Sequence, residues 1–197
     1  MKVRVLQLQD TYSFKEDTAL LPYLSEERRK KILHLKRDSE KHISLWTELL
    51  LLYCIRTDLG YWPKQPVFSC SEYGKPYFIQ EKQYHFSISH SGNWVAVASD
   101  RCPIGVDIEQ KRRVNLNIAK RFFQKEEYCF LQSSTEPNRD FLGLWTRKEA
   151  YLKYKGVGLH QSLDSFSVLS ENPTDPITFC TLEEENYIIT VCYEKRV

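Results

Sequence analysis

The sequence predicts an α+β fold in which helical and extended segments follow one another without regular alternation. Period-two patterns mark strands in both halves of the chain, and three- and four-residue spacings mark helices between them. This order differs from the strict strand–helix alternation of a doubly wound parallel sheet. The length of 197 residues suits one core or two small halves sharing a cleft. We place the halves at 1–102 and 103–197, within one continuous globular unit.

The first sixty residues predict one strand and two helices. The strand is the alternating start, MKVRVLQLQDTYS, and the first helix lies in LPYLSEERRKKILHLK, where Ser25 is a suitable N-cap. The second, longer helix begins at about Ser39 and keeps an apolar residue at every third or fourth position until Gly60.

The middle of the chain predicts a loop followed by three strands. Residues 61–77 are rich in Pro, Gly and Ser, which indicates a loop with a brief extended piece. Residues 84–99 predict two strands around a turn at 90–92, and PIGVDIE predicts a third.

The C-terminal half predicts two helices and three strands. The helices are expected at about 115–132 and at 141–155, with Gly156 and Gly158 ending the second. The strands are expected at 164–169, 177–182 and 187–193.

Composition excludes several classes of function. A hydrophobic share of 42% with 27% charged residues is typical of a soluble globular protein, and a net charge of +2 gives no argument for nucleic acid. The longest apolar run, 49–55, is too short for a membrane span, and the N-terminus lacks the pattern of a signal peptide. Six cysteines without a C-x-x-C pair predict reduced thiols, and hence a cytoplasmic protein without a membrane partner.

Three carboxylates are the first candidates for chemistry. Asp107 and Glu109 point the same way from one strand, either as a solvated outer face or with a cation between them. Glu149 lies on an apolar helical stripe, where it either pairs with Lys153 or joins the other two acids. Three oxygen ligands without a nearby Cys or His suit Mg²⁺, or alternatively Mn²⁺, better than Zn²⁺. Since Mg²⁺ in proteins commonly binds substrate phosphates, such a site would indicate phosphate chemistry.

Basic residues suited to phosphates accompany these acids. Lys148, Lys153 and Lys155 lie on or just after the helix of Glu149, and Arg28 and Lys31 share a face of the first helix. Neither a P-loop nor a dinucleotide-binding glycine motif occurs, which argues against ATPases, kinases and dinucleotide enzymes.

Several segments, taken in order, resemble one family. FSISHSGNWVAVA, YGKPY, PIGVDIE, IAKRFFQKEEY, LWTRKEAYLKYKGVGL and LDSFSV resemble the motifs of 4′-phosphopantetheinyl transferases of the larger, surfactin-synthetase-activating type. The resemblance runs from the first strand to about residue 168. It implies a monomer of two similar α/β halves related by a pseudo-twofold axis, with coenzyme A in the cleft between them. It also implies transfer of the phosphopantetheine arm to a serine of an apo acyl or peptidyl carrier protein, with release of 3′,5′-ADP.

The resemblance also implies roles for particular residues. The positions that match the family's Mg²⁺ ligands are Asp107, Glu109 and Glu149, and those that match its pyrophosphate lysines are Lys148 and Lys153. Those that match its other phosphate contacts are Arg28 (often a lysine in the family), Lys31, Ser89 and His90, and those that match its adenine and phosphate turn are Gly74, Lys75 and Pro76. The candidates for the general base are Glu149 and Glu127, and Lys153 is a candidate for holding the serine or protonating the leaving oxygen.

The carrier and two rival functions complete the expectations. Carrier proteins are usually acidic, so the basic and apolar run 111–123 is either a docking surface or an ordinary loop leading into an amphipathic helix. A metal-dependent hydrolase of nucleotide pyrophosphates would use the same three acids with water. A non-catalytic module that only binds carrier proteins would need no acidic triad.

Overall fold

The computed structural model describes residues 1–9, 13–169 and 176–195, and within these ranges it confirms the predicted mixture of helices and sheets. The helices are α1 (Glu26–His34), α2 (Asp38–Leu59), α3 (Asn117–Phe122), α4 (Lys125–Ser133) and α5 (Pro137–Lys155). The strands are β1 (Lys2–Gln7), β2 (Phe68–Cys70), β3 (Pro76–Phe78), β4 (His85–Ser91), β5 (Trp94–Asp100), β6 (Ile104–Gln110), β7 (Ile177–Glu183) and β8 (Tyr187–Glu194). Short 3₁₀ segments occur at Phe14–Tyr23, Gly158–His160 and Leu163–Ser165.

The described strands form two antiparallel three-stranded sheets and one small hairpin. The first sheet has the order β1-β5-β4 and the second has the order β6-β8-β7, while β2 pairs with β3. In each large sheet the strand that comes last in the sequence lies in the middle. The sheet of the C-terminal half therefore repeats the strand order of the sheet of the N-terminal half.

The helices of the N-terminal half follow the predicted boundaries. The Ser25 hydroxyl caps α1 by accepting from the backbone N–H of Arg28 at 3.3 Å. Helix α2 ends at Gly60, whose φ of +83° is in the left-handed region that favours glycine. Helix α2 packs on the first sheet, where Leu45, Leu52 and Ile55 join Phe86 and Val97 in a fully or almost fully buried core. No helix within the described residues is both long enough and apolar enough to cross a bilayer.

Helix α5 lies directly against β6, and a glycine makes this close approach possible. A Cβ atom added at Gly105 would overlap the carbonyl oxygen of Ala150 and the backbone nitrogen of Tyr154. The backbone of α5 therefore occupies the space that a side chain on β6 would need. This contact brings the acids of β6 beside the helix that carries Glu149.

Two sequence predictions for the C-terminal half are wrong. The helix expected at 115–132 is divided into α3 and α4, because Gln124 starts a new helix whose capping box returns the Glu127 carboxylate to the Gln124 N–H at 2.9 Å. The strand expected at 164–169 is instead a 3₁₀ turn followed by irregular chain. Its backbone groups bond to side chains rather than to a neighbouring strand: Val168 donates to Glu127, and Phe166 accepts from Lys148.

Serine hydroxyls join the two large sheets edge to edge. Ser87 of β4 accepts from the backbone N–H of Val106 at 3.0 Å, and Ser89 accepts from that of Ile108 at 3.3 Å. Strands β4 and β6 are each the outer strand of their sheet, so these contacts form the seam between the halves. The predicted site residues of both strands lie along this seam.

Candidate active site

A cleft of about 730 Å³ opens along the seam and is lined by both halves of the chain. This volume is within the range of sites for cofactors and small molecules. The site residues predicted from the sequence that line it are Arg28, Lys31, Gly74, Pro76, Ser89, His90, Asp107, Glu109, Glu149 and Lys153. The structure therefore brings most of the predicted set to one place.

Asp107 is buried at the floor of the cleft with one oxygen paired and the other unpaired. Its Oδ1 atom accepts from Lys153 Nζ at 2.6 Å and from the Ser89 hydroxyl at 2.7 Å. Its Oδ2 atom is buried and has no hydrogen-bond partner among the described residues. Burial raises the pKa of Asp107, whereas Lys153 and Ser89 oppose that rise. An unpaired buried carboxylate oxygen is costly, so a water molecule, an ion or a ligand that bonds to it would be stabilising.

Glu109 points along the same face of β6 toward the rim. Its Oε2 atom accepts from the Ser91 hydroxyl at 2.6 Å and pairs with Arg112 Nη1 at 2.6 Å. The positive charge beside Glu109 in the protein itself is therefore Arg112.

Glu149 faces both acids from α5 and does not form the predicted alternative pair with Lys153. The Lys153 ammonium bonds instead to Asp107 and to Ser89, at 2.6 and 2.9 Å. Burial raises the pKa of Glu149, the negative charge of Asp107 raises it further, and Lys153 lowers it. A carboxylate with a raised pKa in a cleft is suited to accept a proton.

These acids face one another without forming a ready-made coordination shell. Among residues 1–9, 13–169 and 176–195, no three His, Cys, Asp or Glu side chains are arranged closely enough to hold a metal ion. Lys153 and Arg112 instead neutralise part of the negative charge.

Cationic side chains from α1 line the opposite wall. Arg28 and Lys31 lie one turn apart and both face the cleft, as predicted from their spacing. Burial lowers the pKa of His90, and repulsion from Lys153, Lys31 and Arg28 lowers it further. Arg28 and Lys31 thus make this wall positive, which suits an anionic ligand.

The turn at 74–76 contributes its backbone to the cleft, but Lys75 turns away. Gly74 has a φ of +83° and lines the cleft with Pro76. The ammonium of Lys75 donates to the carbonyl oxygens of Ile104 at 2.9 Å and Tyr154 at 3.3 Å. Burial lowers its pKa to about 8. Lys75 therefore ties this turn to the start of β6 and the end of α5, and its predicted contact with the ligand does not fit this position.

Lys148 and Glu127 lie together, outside the cleft. Both side chains are fully buried, their charged atoms are 2.8 Å apart, and Lys148 also donates to the carbonyl oxygens of Leu163 and Phe166. The second oxygen of Glu127 accepts from the N–H of Val168. This geometry contradicts the predicted phosphate contact of Lys148 and the predicted role of Glu127 as a base, because both groups are already paired away from the cleft.

The cleft also contains residues that the sequence did not single out. Ile43, Ser44 and Thr47 of α2 and Trp145 of α5 line it together with the exposed thiol of Cys70. The three residues of α2 share one helical face, which is a weak signal because such spacing more often marks a core.

Comparison with known proteins identifies the family. A family model described as "4'-phosphopantetheinyl transferase superfamily" matches residues 103–194, and one described as "4'-phosphopantetheinyl transferase, N-terminal" matches residues 12–102. The 4'-phosphopantetheinyl transferase ffp of Bacillus subtilis is 39% identical over 170 residues, which are 85% of this chain and 76% of that protein. The chain belongs to the 4′-phosphopantetheinyl transferase superfamily.

Two further phosphopantetheinyl transferases support this assignment. Sfp of Bacillus subtilis strain 168 is 37% identical over the same coverage of both chains. The protein gsp of Aneurinibacillus migulanus is 31% identical over 181 residues, which are 86% of this chain and 76% of that protein. The predicted family is thus confirmed, and the chain is a transferase that moves phosphopantetheine from coenzyme A to a carrier protein.

Proposed function

We propose that the transfer takes place in the cleft along the seam, with coenzyme A bound by its phosphates and a carrier serine entering beside Glu149. The observation that carries the proposal is the meeting of cations and acids from the two halves. Arg28 and Lys31 come from α1, whereas Asp107, Glu149 and Lys153 come from β6 and α5. A polyphosphate that also needs a base and a cation at its reacting end suits this distribution of charge.

A bound Mg²⁺ ion is a further part of the proposal and rests on the chemistry of the donors, since the described carboxylates do not yet converge on one point. Asp107 offers a buried oxygen to which no described residue hydrogen-bonds, and Glu109 and Glu149 supply carboxylates to the same cleft. Mg²⁺ is favoured over Mn²⁺ only as the commoner partner of phosphates. When bound, the ion would neutralise charge on the pyrophosphate of coenzyme A.

The side chains of the protein have separate tasks in the proposed reaction. Arg28, Lys31, Ser89 and His90 bind the phosphates, while the backbone at Gly74 and Pro76 borders the adenine. Lys153 holds its ammonium at the floor of the cleft, 2.6 Å from Asp107. There it is placed to stabilise the leaving oxygen of 3′,5′-ADP as the bond to the β-phosphorus breaks.

Glu149 is the proposed general base. It accepts the proton of the carrier serine as the hydroxyl oxygen attacks the β-phosphorus. Its raised pKa and its position in the cleft support this role. Glu127, the other candidate from the sequence, is fully buried with both oxygens in hydrogen bonds.

The carrier is proposed to dock along the run 111–123, which begins where β6 leaves the cleft. Arg112 of this run already contacts Glu109, and Ile118 of α3 is 38% exposed. An acidic carrier would find both positive charge and an apolar side chain at the rim. We infer that acyl or peptidyl carriers of secondary metabolism are the acceptors, by analogy with the family.

The proposal includes the assembly and location of the enzyme. We propose a cytoplasmic monomer with halves at 1–102 and 103–197, related by a pseudo-twofold axis and without nucleic-acid or membrane partners. The matching strand orders of the two large sheets support the internal symmetry. All six cysteines lie among the described residues as free thiols, which is compatible with a reducing compartment.

Mass spectrometry of apo carrier proteins tests the function directly. Acyl and peptidyl carriers incubated with the enzyme, coenzyme A and Mg²⁺ should gain one phosphopantetheine group, and a carrier with its acceptor serine changed to alanine should gain none. Rapid hydrolysis of coenzyme A without any carrier would instead favour the pyrophosphate hydrolase. An enzyme that binds carriers without modifying them would favour the non-catalytic module.

A further inference from the structure

We propose that Glu48, a buried acid of α2, is a positioning residue that orients Arg28 for coenzyme A. Glu48 is 2% exposed and does not line the main cleft. This inference rests on the proposed function, because it assumes that the cleft binds coenzyme A through the cation at position 28.

Glu48 accepts three hydrogen bonds, two from Ser25, the N-cap residue of α1, and one from Arg28. Its Oε1 atom accepts from the backbone N–H of Ser25 at 2.5 Å, and its Oε2 atom accepts from the Ser25 hydroxyl at 3.0 Å. Oε2 also pairs with Nε of Arg28 at 3.0 Å. A buried carboxylate bonded on both oxygens has a fixed position, so it defines where the Arg28 side chain lies.

The nitrogens of the Arg28 guanidinium thereby differ in their partners: two bond to the protein and one is left for the cleft. Nε is bonded to Glu48, and Nη1 donates to the hydroxyl of Ser44 at 3.3 Å. Within the part of the chain that the structure describes, no hydrogen bond occupies Nη2 of Arg28, and the residue lines the cleft. Two of the three guanidinium nitrogens are anchored, and the N–H groups of the third, Nη2, are available to an anion.

This division explains why arginine suits position 28, where the family often has a lysine. A guanidinium has five N–H donors in a rigid fork, so it can bond a carboxylate and a phosphate at once. A lysine ammonium at the end of a flexible chain has no such fixed orientation. The Glu48 contact therefore turns a surface cation into a preorganised phosphate contact.

The positioning role and simple electrostatics predict opposite effects of removing the Glu48 charge on the binding of coenzyme A. Coenzyme A is a polyanion, so removing a negative charge beside the cleft should tighten its binding if only Coulomb attraction mattered. If Glu48 holds Arg28 in place, the same substitution should weaken binding. Glu48→Gln therefore separates the two effects without a change in side-chain size.

The experiment measures the Kd of coenzyme A by calorimetry, without Mg²⁺ or carrier. Glu48→Gln should raise the Kd about tenfold, the scale of one charge-assisted hydrogen bond. The matched control is Glu27→Gln, which removes an exposed acid from α1 that has no ion pair with Arg28; its Kd should be unchanged or slightly lower. In an Arg28→Ala background, Glu48→Gln should not weaken binding further, and the Kd should be unchanged or slightly lower.

The outcomes separate this inference from the proposed function. If the unchanged enzyme does not bind coenzyme A, the proposed function fails and the inference fails with it. If the unchanged enzyme binds and Glu48→Gln binds as tightly or more tightly, only the inference is overturned. A tenfold loss that persists in the Arg28→Ala background also overturns it.

A second variant covers the case in which Glu48→Gln fails to fold. Glu48→Asp keeps the charge but withdraws the carboxylate from Arg28. A rise in the Kd of about threefold for that variant supports the inference, whereas an unchanged Kd contradicts it.

Discussion

Individual carboxylates in the cleft differ in what they contribute to folding. Asp107 is buried and bonded to Lys153 and Ser89, so it supports the floor of the cleft. Glu149 faces the same space with a raised pKa and without an ion pair to Lys153. A substitution at Glu149 should therefore change activity with the least effect on stability.

Glu149→Gln should lower kcat by at least about 10²-fold, because it removes the proposed base. The same change should leave the free energy of unfolding within about 1 kcal/mol, since it removes a partly buried charge that repels Asp107. Steady-state kinetics and urea unfolding measure the two effects, with exposed Glu184→Gln as the control. Retention of full activity would contradict the proposed role.

Lys31→Ala should raise the KM for coenzyme A about tenfold and change kcat less than twofold, because its proposed phosphate contact lies away from the reacting atoms. Its neighbour Lys30 pairs with Glu26 at 2.7 Å on the exposed side of α1 and is the matched control. Equal effects of Lys30→Ala and Lys31→Ala would show that only net charge matters.

At the scale of elements, two contacts of α5 hold the site in shape. One face of the helix meets β6 at Gly105, and another carries Lys148 into the fully buried pair with Glu127. The rings of Phe166 and Phe123 lie 4.5 and 5.6 Å from the Lys148 ammonium, measured to their centroids. The first contact sets the distance between the acids, and the second fixes α4 and residues 163–168 against the helix.

Gly105→Ala should lower the free energy of unfolding by about 1–3 kcal/mol or more and reduce transfer, because the new methyl group overlaps the backbone of α5. Gly143→Ala is the matched control, since its Cβ meets nothing within 4 Å in the middle of the same helix. That control should stabilise the enzyme by about 0.5–1 kcal/mol. If both changes had the same effect on denaturant unfolding, the close contact would not matter.

Lys148→Met should lower the free energy of unfolding by about 3–5 kcal/mol, because it leaves Glu127 buried without its counter-ion. Activity measured well below the melting temperature should stay within about threefold of that of the unchanged enzyme, because Lys148 affects the cleft only indirectly. Lys155→Met removes an exposed lysine of the same helix and should change stability by less than about 0.5 kcal/mol. A large loss of kcat at unchanged stability would instead restore Lys148 to the phosphate site.

For the whole molecule, the sequence predicted side-chain positions well where they depend on local spacing. It predicted them poorly where the partner lies far along the chain. The strand of Asp107 and the α1 face of Arg28 and Lys31 follow from spacing alone, and both face the cleft. Lys148 was placed wrongly because its partner Glu127 and the carbonyl of Phe166 come from segments whose positions no local pattern encodes. Lys75 likewise turns to carbonyls of the other half.

The Lys75 contact predicts how stability changes in alkaline solution. Its folded pKa of about 8 is below the ordinary value of 10.5, so between these values the unfolded chain holds a proton that the folded chain has lost. The free energy of unfolding should therefore rise with pH in this window relative to Lys75→Met. Denaturant unfolding of the enzyme and of Lys75→Met from pH 7.5 to 10.5 measures this difference in free energy. The nearby Cys192 and His85 are present in both proteins. A flat difference would contradict the buried ammonium.

The serine contacts between β4 and β6 also protect the enzyme from self-association. The outer strand of a sheet presents amide groups on which a strand of another molecule can add, which is a common route to aggregation. In β6 the amides of Val106 and Ile108 are already taken by the hydroxyls of Ser87 and Ser89. The row of small polar side chains that shapes the cleft therefore also closes an open edge against recruitment of a second chain.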